Sequence, residues 1–154
     1  MEQKTNIAAE EGKQDLTITR TFDLPVELLF KAYTESEFVA QWMGTKVLKL
    51  ESQKHGSYQF ETSHNGNVVF SAEGTIHECV PNQQIIRTFE MLNMPIGVQL
   101  EFLNFEKLTE ETSKLTIQII YKSVEHRQEQ LKMPFAYGLN MAHDRLQEFL
   151  IKLK

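Results

Sequence analysis

Apolar and polar positions begin to alternate at Leu16, where Leu16, Ile18, Arg20 and Phe22 fall on one side of an extended segment and Thr17, Thr19 and Thr21 on the other. This predicts a strand over Leu16–Asp23. The period then becomes helical. Val26, Leu29, Phe30 and Tyr33 recur at i, i+3, i+4 and i+7 after Pro25, a residue tolerated in a first helical turn because its missing amide hydrogen would be unpaired there. Thr34-Glu35-Ser36-Glu37 has the pattern of a capping box that restarts a second short helix towards Phe38 and Trp42, and Gly44 ends it.

From Lys46 to Tyr121 the pattern predicts strands divided by turns. Val47 and Leu50 pair with Tyr58 and Phe60 across Lys54-His55-Gly56. Within His64-Asn65-Gly66-Asn67, the Asn-Gly dipeptide favours a type I′ turn, whose twist matches two paired strands. Pro81-Asn82, Asn93-Met94-Pro95 and Thr109-Glu110-Glu111 supply three further turns. Strands linked in this way form an antiparallel meander, not parallel β/α units. Val68/Phe70/Ala72, Ile85/Arg87/Phe89, Val98/Leu100/Phe102 and Leu115/Ile117/Ile119/Tyr121 give a mainly apolar face with Arg87 as its exception. Glu73, Glu101 and Gln118 are expected on the wetter face.

Leu131, Phe135, Leu139, Ala142, Leu146, Phe149, Leu150 and Leu153 return to three- and four-residue spacing. Pro134 would cost about 3 kcal/mol inside a helix, which places it in the first turn of a helix over Pro134–Leu153, about 30 Å long. A curved sheet buries so long a stripe along its concave side. The expected fold class is therefore α+β: a curved antiparallel sheet wrapped around a long C-terminal helix, with two short helices after the first strand.

Residues 1–14 mix Glu, Lys, Gln, Gly and Ala without sustained period, and are expected to form a poorly ordered tail before a single domain over residues 15–154. The 154 residues suffice for one core. The net charge of −5 is spread along the chain and argues against nucleic acid as a partner. No apolar stretch reaches the length of a membrane span, and no basic segment leads into an apolar one, so neither membrane insertion nor conventional secretion is expected. The single cysteine, Cys79, forms no internal disulfide, which fits a reducing, cytoplasmic setting.

Candidate chemistry is sparse. His64, His77, Cys79, His126 and His143 are metal-ligand types, but only His77 and Cys79 are closely spaced, and zinc asks for about four ligands. No metal and no cofactor is expected. Cys79 beside His77 lacks a visible orienting group, and phosphate loops and nucleophile elbows are missing. Glu73, Arg87, Glu101, Gln118 and His143 would offer acid–base chemistry only if their faces turned inward. No catalytic residue is assigned. The apolar side chains carry the functional expectation. Phe30, Phe38, Trp42, Phe60, Phe70, Phe89, Phe102, Tyr137 and Met141 are the candidates for lining a ligand space, with Arg87 and His143 as its polar members. Trp42, beside the Gly44 break, is the candidate gate.

Thr21-Phe22-Asp23-Leu24-Pro25-Val26-Glu27-Leu28-Leu29-Phe30-Lys31-Ala32-Tyr33-Thr34, Trp42-Met43-Gly44, Gly56-Ser57-Tyr58, Glu73-Gly74 with Pro81 after it, and Gly138 followed by Asp144-Arg145-Leu146 together resemble the family named for the activator of the Hsp90 ATPase. That family lies within the START-like (SRPBCC) superfamily. The resemblance runs from about residue 16 to the C-terminus. It implies the helix-grip, Bet v 1-like fold, a cavity between sheet and helix, and a hydrophobic or aromatic small molecule as the partner. It also implies two alternatives: a co-chaperone-like domain that meets a chaperone or other protein, and a cyclase- or hydrolase-like enzyme using acid–base groups in the cavity. Relatives commonly carry two tryptophans before the glycine where this chain has Trp42-Met43-Gly44, Gly-Trp where it has Gly138-Leu139, and an aliphatic residue where it has His143. Either a monomer or a homodimer is compatible with these features.

Overall fold

The computed structural model describes residues 4–154. Eight strands form one antiparallel sheet: β1 (Asn6–Ala8), β2 (Asp15–Phe22), β3 (Lys46–Leu50), β4 (Ser57–His64), β5 (Asn67–Val80), β6 (Gln84–Met91), β7 (Val98–Lys107) and β8 (Ser113–Ile120). Helices α1 (Val26–Thr34) and α2 (Ser36–Met43) separate β2 from β3, and α3 (Val124–Lys132) and α4 (Phe135–Ile151) follow the sheet. The strand order is β1-β2-β8-β7-β6-β5-β4-β3. Thus β3 to β8 form the expected meander, and β2 returns to close it by pairing with β8. Register shifts in β3, β4 and β5 mark the bulges that bend the sheet. The result is the curved, antiparallel helix-grip architecture.

The core sits on the concave side. Leu16 and Ile18 of β2, Tyr58 and Phe60 of β4, Leu103 and Phe105 of β7, and Leu115, Ile117 and Ile119 of β8 are buried with Leu29 and Phe30 of α1 and with Leu146 and Leu150 of α4. No helix among the described residues is long and apolar enough to cross a membrane.

Three local expectations need correction. Residues 4–14 are not simply a tail, because β1 pairs with β2, Thr5 is buried, and the Arg127 guanidinium donates to the Glu10 and Asp15 carbonyls at 2.7 and 2.9 Å. The capping box is not formed: Thr34 completes the last turn of α1, where its hydroxyl donates to the Phe30 carbonyl, and Glu35 precedes α2 without a side-chain cap. The third is the phase of β7. Arg87 opposes Glu101, Ile85 opposes Leu103 and Leu115 opposes Phe105, so Gln99, Glu101, Leu103 and Phe105 face inward while Leu100 and Phe102 face outward.

Candidate functional site

A cavity of about 540 Å³ lies between the concave face and the helices. The alternation of β2, β5, β6 and β8 delivers Ile18, Phe70, Phe89, Met91, Ile117 and Ile119 to one wall. Helical spacing on α4 delivers Phe135, Gly138, Leu139, Ala142 and Arg145 to the other, and Trp42, Met43 and Gly44 supply the end of α2. The lining is chiefly apolar. Its polar members are Tyr33, Thr62, Arg87, Gln99, Glu101, Gln130 and Arg145.

The inverted phase of β7 creates the main polar feature. Arg87 Nε donates to Glu101 Oε1 at 2.9 Å, and Gln99 Nε2 donates to Glu101 Oε2 at 2.9 Å. Both charged side chains are nearly withdrawn from solvent, 12% exposed for Arg87 and 8% for Glu101. The guanidinium carbon also lies 5.1 Å from the centroid of the Tyr58 ring, 5.9 Å from that of Phe89 and 6.0 Å from that of Tyr33. These rings favour a cation near their faces. Burial raises the Tyr33 and Tyr58 hydroxyls well above the ordinary phenol range, so both remain protonated at neutral pH. Tyr58 donates to the Thr88 carbonyl, and Tyr121 donates to Gln130 Oε1 at 3.4 Å.

Four of the expected lining residues meet in this cavity: Trp42, Phe70, Arg87 and Phe89. Trp42 is anchored as a wall rather than poised as a gate, because its indole Nε1 donates to the Ala32 carbonyl at 2.7 Å and Arg145 Nε donates to the Trp42 carbonyl at 3.2 Å. Phe30 packs edge-on against Phe105 and Phe38 edge-on against Phe149, while Phe60 packs at a tilt against Tyr58, all as core contacts outside the lining. Phe102 is on the outer face opposite Ile86 and Gln118. Tyr137 and Met141 point away from the cavity and are 62% and 42% exposed.

His143 is buried but does not line the cavity. Its Nδ1 lies 2.9 Å from Thr5 Oγ1, and its ring packs edge-on against Phe22. Burial, reinforced by Arg20, pushes its pKa down to about 3, against a smaller upward pull from Asp144. Of the other acid–base candidates, Glu73 is exposed opposite Gln59, and Gln118 faces outward and donates to Asp15. Burial, with Glu78 beside it, raises the Cys79 thiol, which lowers its thiolate fraction. Among the described residues, no three His, Cys, Asp or Glu side chains converge as a metal site.

Tyr33, Gln99, Gln130, Leu139 and Arg145 were not anticipated as lining. For Gln99 and Glu101 the signal was present in Arg87: a lone cation on an inward face asks for an inward anion on the neighbouring strand.

The model of the family described as Activator of Hsp90 ATPase homolog 1-like protein matches residues 23–150. No curated protein matches the chain. Among solved structures, a Rhodobacter sphaeroides protein superposes with a TM-score of 0.83 at 19% identity, over 96% of this chain and 99% of its own. Protein Ms6760 from Mycobacterium smegmatis gives 0.83 at 18%, over 95% and 96%. A Staphylococcus epidermidis protein gives 0.77 at 21%, over 94% of each chain. At such identities the likeness carries the fold alone.

Proposed function

The chain belongs to the Activator of Hsp90 ATPase homolog 1-like family, and from that premise we propose that it binds an apolar small molecule between its sheet and α4, without transforming it. The carrying observation is the cavity of about 540 Å³ with its chiefly apolar wall, within the roughly 300–1,000 Å³ range usual for ligand sites. Trp42, Phe70, Phe89 and Arg87 touch the ligand in this reading. Phe30, Phe38, Phe60 and His143 shape the space only through the packing behind it.

Titrating ¹⁵N-labelled protein with pooled fatty acids, flavonoids, sterols and small aromatics tests the proposal. Saturable shifts at Trp42, Phe89 and Ala142 are expected, and Ala142→Phe, which fills the cavity, abolishes them while the fold persists. Still amides in a folded protein, or shifts that survive Ala142→Phe, remove the reading.

One observation favours a second reading, docking of a protein partner. Val69 and Leu92 are both exposed, and the chain brings them close because the Leu92 amide donates to the Ser71 carbonyl and the Asn93 side chain to the Val69 carbonyl. Titration with an Hsp90-type chaperone distinguishes the two. Shifts at Val69 and Leu92 with none at Phe89 support docking, and no shift at either rules out that chaperone as the partner.

A further inference from the structure

The polar end of the cavity has an uneven supply of hydrogen-bonding groups. Both Glu101 oxygens are engaged, one by Arg87 and one by Gln99. Arg87 uses only Nε in that contact, and among the described residues neither of its terminal nitrogens has a hydrogen-bond partner. The Tyr33 hydroxyl lines the same space, is held protonated by burial, and has no hydrogen-bond partner among the described residues. Donors are therefore left over.

The surplus is not a surplus of charge. One guanidinium is matched by one carboxylate at 2.9 Å, so an anionic ligand would gain Arg87 only by bringing a second negative charge beside Glu101, whose side chain is itself nearly withdrawn from solvent. Desolvating an ionised group costs far more than desolvating an amide or hydroxyl. A carbonyl or phenolic oxygen accepts from the guanidinium without that cost, and a hydrogen bond to a charged donor is stronger than a neutral one.

Resting on the binding reading above, we infer that the cavity selects apolar molecules carrying one uncharged oxygen acceptor, held by the terminal nitrogens of Arg87, and discriminates against the corresponding carboxylates. Arg87 is then the specificity-determining residue, and Glu101 sets the specificity by cancelling its charge. The other cation in the wall, Arg145, is tied by Nε to the Trp42 carbonyl and has no carboxylate partner among the described residues. It is the group on which an anion would bind if this inference were wrong.

Calorimetric titration with fluorene, 9-fluorenone and fluorene-9-carboxylate at neutral pH makes the test, because the three share one ring frame and differ at one carbon. Fluorenone is expected to bind about tenfold tighter than either of the others, the factor that one such hydrogen bond supplies. In the R87M/E101Q variant, which removes both charges together, the ratio of fluorenone to fluorene affinity is expected to fall below about threefold. Should the variant fail to fold, the guanidinium resonances of Arg87 in the unaltered protein provide the second readout: they shift with fluorenone and not with fluorene.

Equal binding of fluorene and fluorenone overturns the selectivity and leaves the cavity reading standing. Tightest binding of the carboxylate overturns it in favour of Arg145. If none of the three binds, while pooled apolar probes still shift Phe89, the inference alone fails. If those probes are also silent, the cavity reading fails with it.

Discussion

Thr5 Oγ1 lies 2.9 Å from His143 Nδ1 across 138 positions of sequence, and both residues are buried. The contact belongs to a polar clasp. The Lys4 and Thr5 amides both donate to Asn140 Oδ1, Arg20 Nη1 donates to Thr5 Oγ1 at 3.1 Å, and Arg20 Nη2 pairs with Asp144 at 2.8 Å. The start of the described chain is thereby fastened across β2 onto α4.

Thr5→Val keeps the shape and removes the hydroxyl, leaving Arg20 and His143 each short of a buried partner. The expected loss is about 1–3 kcal/mol, read from the urea midpoint. Thr21→Val, at an exposed position of β2, is the control and should shift stability by less than about 0.5 kcal/mol. Equal effects at the two sites would mean that the clasp contributes nothing measurable.

His143 makes stability depend on pH in a predictable direction. Burial, with Arg20, holds its folded pKa at about 3, below the unfolded imidazole value of about 6.5. Between these limits the unfolded chain takes up the proton and the folded one does not. Its contribution is complete above about pH 6.5 and declines as pH falls towards 3, by at most about 1.4 kcal/mol per pH unit. His143→Leu should flatten that limb of the stability profile. Parallel profiles for the two proteins would assign the acid sensitivity elsewhere.

How much of this was legible depended on whether a residue's partner was apolar and whether it was near in sequence. Asn65 and Gly66, with φ of 52° and 80°, make the hairpin turn that the Asn-Gly dipeptide announces, because a turn's geometry is decided locally. In β7 the adjacent apolar residues Phe102 and Leu103 leave the phase undecided, and pairing with β6 and β8 settles it. The helix α3 was missed altogether. It buries Arg127 and Gln130, not an apolar stripe, so it carries no hydrophobic period. On α4, Tyr137 stands two residues from both Phe135 and Leu139 and so off the lining face, while Met141, three residues after Gly138 and four before Arg145, falls at the edge of that face and remains exposed. The clasp of Thr5 was invisible because every member is polar and distant.

Gly74 faces a steric limit that its neighbours set. A Cβ there would overlap the Thr88 carbonyl oxygen and the Tyr58 hydroxyl, which are hydrogen-bonded to each other directly above it. Gly74→Ala must therefore displace Tyr58 and open β5 from β6, at an expected cost of about 3 kcal/mol. Gly138→Ala, where a Cβ meets nothing within 4 Å, should be neutral or slightly stabilising, since alanine is the better helix former. Thermal melts of the two variants check the contrast, and a G74A protein as stable as G138A would show that Tyr58 is not held against the sheet.

The Arg87–Glu101 pair predicts strong non-additivity. Arg87→Met leaves the Glu101 carboxylate buried with only Gln99 to answer it, and Glu101→Gln leaves the guanidinium without its anion. Breaking such a pair from one side costs about 3–5 kcal/mol, whereas removing both charges together is often close to neutral. R87M/E101Q is accordingly expected to be more stable than R87M alone and to lose less than about 2 kcal/mol from the unaltered protein. Chemical denaturation of the four proteins gives the coupling directly. A double variant whose loss equals the sum of the singles would show that the two groups act independently, and with that the case for a charge-neutral polar end to the cavity would collapse.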